Sequence, residues 1–140
     1  MRFMIIVKAT QDSEAGVMPD EKLLASMAKF HEELAEAGML LDGSGLKPSS
    51  NGWRIQYSGE KRSVIDGPFA ETKELIAGYT LIQANSKAEA IEWTLRFPNP
   101  VGDGADAEIE VRQLFELDDF GDSEVIECFR TLEEAEARTV

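Results

Sequence analysis

Charged residues on strand-like segments are the chemically most suggestive feature of this 140-residue sequence. Arg54 alternates with Trp53 and Ile55, and Glu110 and Arg112 alternate with apolar residues further along the chain. Such alternation places the charged side chains on one face of a β-sheet. If helices cover the other face, the charged face is either open to water or lines a cavity between two sheets. Cross-strand charge pairing, at under about 1 kcal/mol per pair, is the alternative that needs no ligand.

The segment from Asp66 to Glu74 combines a sharp corner with ionisable side chains. Asp66 ends a predicted strand, Gly67 permits a tight turn, and Pro68 fixes the backbone there. The charged side chains beside this corner either line a cleft or form a solvated rim, and the pattern fits both. They are Asp66, Glu71, Lys73 and Glu74.

Other residues that commonly support catalysis or metal binding are sparse. His31, the sole histidine, falls at the edge of an apolar helix stripe with no carboxylate at pairing distance along the helix. This favours a boundary residue over a general base or metal ligand. Cys128 lies among acidic residues, which disfavour a reactive thiolate. One histidine and one cysteine do not predict a zinc site, and no loop has calcium-binding spacing, so we predict no metal and no cofactor.

Strand and helix patterns alternate along the chain. Pro19, Asp20 and Gly38 bound the first predicted helix, and a capping box from Ser86 to Glu89 opens the second. The predicted strands cover residues 3–7, 39–41, 53–58, 62–65, 75–83 and 108–115. This order predicts an α+β fold of the ferredoxin-like split β-α-β type, with an antiparallel sheet.

The composition of the chain restricts which partners and which cellular compartment we expect. The chain has 14 Lys and Arg against 27 Asp and Glu, a formal net charge of -13. Such a charge repels a phosphate backbone or an anionic membrane, so we expect neither as a partner. The start of the chain lacks the pattern of a signal peptide, and no apolar stretch approaches the roughly 20 residues of a membrane span. With Cys128 as the single cysteine, we expect a cytoplasmic protein.

The corner and its surroundings resemble the YCII-related family, in particular its DGPF group. The matching segments are Asp66–Phe69, Glu71, Lys73–Glu74, Gly78–Tyr79, Met1–Lys8, Ala90–Trp93, Pro98–Pro100 and Ile109–Arg112. The resemblance implies a dimeric α/β-barrel, in which two ferredoxin-like sheets pack face to face, and it implies no known reaction. YCII relatives are proposed to use a His–Asp pair, but Met27 stands where the histidine would fall, so that mechanism is not transferred.

The resemblance favours the cavity interpretation of the charged sheet face. We predict small-molecule binding or catalysis in a sheet-lined pocket of a homodimer, and Asp66 and Arg112 are the best candidates for a catalytic role. The alternative is a non-catalytic dimeric module that regulates or scaffolds other proteins. The predicted ligand-binding residues are Lys8, Arg54, Asp66, Lys73, Glu110 and Arg112.

The predicted domain covers residues 1–117, and residues 118–140 form an acidic amphipathic extension that is not a separate domain. Val125, Phe129 and Leu132 recur at helical spacing on one side of this extension. Docking on its own domain and docking on a partner chain are both consistent with this pattern.

Overall fold

A computed structural model describes residues 1–139 of the chain. Single-turn 3-10 segments lie at Ser49–Asn51, Thr72–Glu74 and Leu117–Phe120. The strands and α-helices are β1 (Arg2–Lys8), α1 (Gln11–Glu14), α2 (Glu21–Glu36), β2 (Leu40–Gly45), β3 (Trp53–Ser58), β4 (Lys61–Asp66), β5 (Ile76–Gln83), α3 (Lys87–Thr94), β6 (Ile109–Gln113) and α4 (Glu124–Thr139).

Four strands form one antiparallel sheet in the order β2-β5-β1-β6. β5 lies between β1 and β2, and β1 lies between β5 and β6. The two crossover units, β1-α2-β2 and β5-α3-β6, therefore interlock through their strands. This is the ferredoxin-like split β-α-β arrangement, so the predicted fold class is confirmed.

Local capping signals fix the ends of the two main helices. The Asp20 side chain accepts a hydrogen bond from the Leu23 amide at 2.8 Å, and Gly38 ends the α2 region at a φ of +73°. Ser86 caps α3 by accepting from the Glu89 amide at 3.1 Å. The Glu89 carboxylate instead accepts from the Asn85 side-chain amide at 3.3 Å, so only half of the predicted capping box forms.

The core lies between the helices and one face of the sheet. Ile5 of β1, Leu34 of α2 and Ile82 of β5 are fully buried there. Because side chains alternate along a strand, Met4 and Ile6 point to the other face. Both remain partly exposed, so the described chain covers only one side of its sheet.

β3 and β4 pair only with each other and form a separate hairpin, every residue of which is exposed. The sequence predicted these two strands correctly. It also placed Arg54 on the same sheet face as Glu110 and Arg112, and that placement is wrong. Arg54 lies on β3, which does not pair with any strand of the main sheet. The prediction failed because alternation shows which residues of one strand share a face, but not which strands lie side by side.

α4 follows the main sheet as an appended helix. Arg130 donates to Asp118 of the preceding 3-10 segment at 2.9 Å, and among residues 124–138 the partly buried positions are Ile126 and Arg130. A salt bridge of 3.1 Å between Arg2 Nε and Glu116 Oε1 links the start of β1 to the residue that precedes the 3-10 segment Leu117–Phe120. Among the described residues, no helix combines the length and apolarity that crossing a bilayer requires.

Candidate functional site

The sheet side opposite the helices, here called the open face, has an apolar centre and polar ends. Strand register sets its side chains in two rows that cross the sheet from β2 to β6. One row contains Ser44, Tyr79, Ile6 and Glu110, and the next contains Asp42, Leu81, Met4 and Arg112. A molecule lying across these rows would meet polar groups at both ends and aliphatic side chains between them.

Lys8, Glu110 and Arg112 form the cationic cluster at the β6 end of the open face. Lys8 Nζ donates to Glu110 Oε1 at 3.3 Å, and Arg112 Nη1 donates to Glu110 Oε2 at 3.4 Å. The hydrogen bond from Lys8, followed by that from Arg112, lowers the pKa of Glu110 below its ordinary value. The cluster therefore holds two cations and one anion. The Arg112 side chain is 73% exposed, which leaves most of its donors available to a ligand.

Asp42, Ser44 and Tyr79 form the tyrosine cluster at the β2 end of the open face. The Tyr79 hydroxyl donates to Asp42 Oδ2 at 2.9 Å. This bond raises the pKa of Tyr79, because deprotonation would place two anions side by side. The phenol thus stays protonated at neutral pH, and its oxygen can accept a hydrogen bond from a ligand.

The Asp66–Phe69 corner is held by a polar anchor formed by Glu14 and Ser49. The Phe69 amide donates to Ser49 Oγ at 3.0 Å, and the Ser49 amide donates to Glu14 Oε2 at 2.8 Å. The Ser49 hydroxyl also donates to the second oxygen of Glu14. The Gly67–Pro68 peptide is cis. Glu14 belongs to α1, so the corner is tied to the segment that follows β1.

Residues 1–117 match the model of the YCII-related domain. The chain belongs to the YCII-related family. A curated relative, the uncharacterized protein R00369 of Rhizobium meliloti (strain 1021), is 32% identical over 80 residues. That match covers 57% of this chain and 64% of the relative, so this YCII-related protein spans less than two thirds of the relative's length.

A solved structure similar to this YCII-related protein is that of 5-chloro-2-hydroxyhydroquinone dehydrochlorinase from Burkholderia phenoliruptrix AC1100, in complex with 2,5-dihydroxybenzoquinone. The two chains are 15% identical with a TM-score of 0.42, and the match covers 83% of this chain and 95% of the other.

The structure separates the predicted ligand-binding residues of this YCII-related protein. Lys8, Glu110 and Arg112 come together on the open face, as described above. Arg54 stacks over the Phe69 ring, with its guanidinium carbon 3.8 Å from the ring centroid. Asp66 and Lys73 lie outside the main sheet, at the end of β4 and in the 3-10 turn Thr72–Glu74. The charged residues beside the corner are all exposed, which is the arrangement of a solvated rim.

Sequence reasoning missed the tyrosine cluster. The predicted strand 75–83 contains Tyr79, which also matches the family pattern, but the second predicted strand ends at Leu41, before Asp42. β2 instead continues to Gly45, with a register shift between Leu40 and Asp42. The available signal was the spacing of Asp42 and Ser44, which places both on one face of a strand.

His31 lies on the helix side of the sheet, away from the open face. Its Nε2 is 2.8 Å from the hydroxyl of the buried Thr80, and its Nδ1 is 2.7 Å from the Met27 carbonyl oxygen. Both ring nitrogens are thus engaged within the fold. Among residues 1–139, no group of three or more histidine, cysteine or acidic side chains is arranged to hold a metal ion.

Proposed function

We propose that this YCII-related protein binds a small anionic molecule in a pocket that forms when the open faces of two copies meet. The main support for this proposal is the cationic cluster. It lies beside an apolar patch of Met4, Ile6 and Leu81, which the single chain leaves partly exposed. In a chain of net charge -13, this local excess of positive charge favours an anion at that end.

The apolar centre of the open face supports its pairing with the open face of a second copy. A sheet with one solvated face normally alternates apolar residues inside with polar residues outside. Here Met4, Ile6 and Leu81 occupy the outer face, and burial of apolar surface yields about 25 cal/mol per Å². A second copy supplies an apolar surface of the same kind, and a two-fold interface uses the same patch twice. The family resemblance points to the same assembly.

The two polar ends define the chemistry of the ligand. Arg112 and Lys8 suit a carboxylate or a similar oxyanion, since guanidinium can form paired, charge-assisted hydrogen bonds with it. Tyr79 lies two strands away from Glu110, about 10 Å across the sheet, and accepts or shares a hydrogen bond at the far end. A short acid with an apolar body matches this surface. Binding, rather than a particular reaction, is what these groups support.

The assembly is tested by the mass of the protein in dilute solution. We expect twice the 15.5 kDa of one chain, measured by light scattering on a sizing column. Leu81→Asp buries a charge in the paired faces and should give the mass of one chain. Leu24→Asp, on the outer side of α2 where the residue is half exposed, is the control and should leave the mass doubled. A single-chain mass for the unaltered protein contradicts the pairing.

The ligand is tested with a panel of small aromatic and aliphatic carboxylic acids, using calorimetry. Arg112→Ala should weaken the best binder about tenfold or more, because a charge-assisted hydrogen bond is lost. Arg54→Ala is the matched control, since this arginine lies on the separate hairpin and stacks on Phe69. The proposed ligand pocket is wrong if the Arg112 variant binds the acid as tightly as the unaltered protein does, or if no acid of the panel binds.

A further inference from the structure

We infer that α4 of one chain docks on the β3–β4 hairpin of a second copy. This inference goes beyond the proposed ligand pocket and does not require that a ligand bind there. It rests on two apolar surfaces that the described chain leaves uncovered. The helix stripe consists of Val125, Phe129 and Leu132. The hairpin patch consists of Trp53, Ile55, Tyr57 and Val64.

The helix stripe is exposed along the length of α4. Val125, Phe129 and Leu132 are 64%, 50% and 63% exposed. Their spacing of four and three residues puts them on one side of the helix. The helix has 16 residues, and most of the stability of a helix in a protein comes from the packing of its apolar side. An apolar surface that receives this stripe would therefore stabilise the helix itself.

The hairpin patch is a continuous apolar surface on one face of the β3–β4 ladder. Ile55 pairs directly with Val64, and Trp53 and Tyr57 lie on the same face at the adjacent positions of β3. All four side chains are between 42% and 67% exposed. An isolated two-stranded hairpin is at best marginally stable in water, and packing against a helix is one of the ways to stabilise it.

The charges of the two elements are complementary. α4 contains five glutamates and two arginines. The hairpin contains three cations and two acidic residues, within a chain whose acidic residues outnumber its cations almost two to one. Arg62 and Asp66 both lie on the patch side, opposite Tyr57 and Trp53, and the Arg62 guanidinium carbon is 4.9 Å from the centre of the Tyr57 ring. The hairpin as a whole therefore has one net positive charge, which favours an acidic helix more than the net acidic remainder of the chain does.

We infer that the hairpin patch that receives the helix stripe belongs to a second copy, because α4 and the hairpin are attached at opposite ends of the main sheet. α4 follows Glu116, which binds Arg2 at the start of β1. The hairpin is held through Ser49 and Glu14, just after β1 ends at Lys8. Both surfaces stay exposed within one chain. A copy related by a two-fold axis can bring its hairpin to the helix, and symmetry then makes the same contact twice.

Cys128 gives a direct test, because it is exposed and lies beside the helix stripe on α4. We attach a thiol-reactive photo-crosslinker to this cysteine in the full chain, then mix unlabelled and 15N-labelled protein before illumination. Mass spectrometry should find mixed-label adducts that map to residues 53–64. Adducts confined to one chain, adducts on another surface of the partner, or no adduct at micromolar concentration would each overturn the inference.

Variants separate this contact from the ligand pocket. Phe129→Asp should reduce the mixed-label hairpin adduct about tenfold or more, since it puts a charge into an apolar contact beside the crosslinker. Glu134→Ala, on the opposite side of α4, should leave the adduct unchanged. Affinity for the carboxylic acid should be unaltered in both variants. If no acid binds but the adduct still forms, only the proposed ligand pocket is wrong. If both variants lose the adduct, the helix stripe is not what holds the two chains together, and the inference is wrong.

Discussion

Replacing Gly67 by alanine is expected to lower the free energy of unfolding by about 2–4 kcal/mol, because backbone occupies the space that a side chain would need. A Cβ atom at this position would lie 1.9 Å from the Ser49 carbonyl oxygen and 2.7 Å from its carbon. These are backbone atoms of a 3-10 turn and cannot rotate away. The corner or the turn must therefore move, and the hydrogen bonds at Ser49 and from the Gly67 amide to the Gly52 carbonyl would be disturbed.

The measurement is urea unfolding followed by circular dichroism at one fixed protein concentration. Gly45→Ala is the matched control, since a Cβ there meets nothing within 4 Å and the backbone has no positive φ. We expect the control to stay within about 0.5 kcal/mol of the unaltered protein. Equal stability of the Gly67 and Gly45 variants would show that the corner does not pack on Ser49 as described.

The fold was predictable because its signals are local. β1 is an apolar run, α2 carries its apolar stripe between Asp20 and Gly38, and α3 begins at Ser86. Each signal depends on residues within a few positions of one another. Once the order of the elements was known, the split β-α-β rule restricted the topology to very few choices. The predicted antiparallel sheet follows from that rule rather than from any single residue.

The composition of the open face was only partly predictable, because it depends on register between distant strands. Lys8 and Glu110 were predicted together as residues of one pocket, and a hydrogen bond joins their side chains. Asp42 and Tyr79 meet across a ladder with a register shift after Leu40, and strict alternation would have placed Asp42 on the same side as Leu40. Arg54 was misplaced for the related reason that its hairpin does not join the main sheet.

The Asp66–Phe69 corner was also only partly predictable from the sequence. Its turn chemistry was readable from Gly67 and Pro68, and the structure has a corner there. Its anchor comes from Glu14 and Ser49, which precede the corner by many residues and lie outside the predicted strands and helices. Side-chain partners across a loop leave no periodic pattern in the sequence. The ligand-binding role given to Asp66 thus remains a prediction, since its side chain is exposed at the end of β4.

Leu34→Ala is expected to lower the free energy of unfolding by about 2–5 kcal/mol, the range for emptying a fully buried leucine site. Leu34 has no exposed surface and packs in the core cluster with Phe30 of the same helix and Ile82 of β5. Removing its side chain leaves a cavity between α2 and the sheet, which neighbouring backbone cannot fill. Chemical unfolding of the variant and the unaltered protein, at one protein concentration, gives the difference directly.

Leu24→Ala on the same helix is the control, because Leu24 is 51% exposed and its loss opens no cavity. We expect it to cost less than about 1 kcal/mol. Neither variant touches the open face, so both should keep the doubled mass at concentrations where they are folded, whereas Leu81→Asp should not. If Leu34→Ala cost no more than Leu24→Ala, α2 would not pack as described, and the assignment of the opposite face as the paired one would lose its basis.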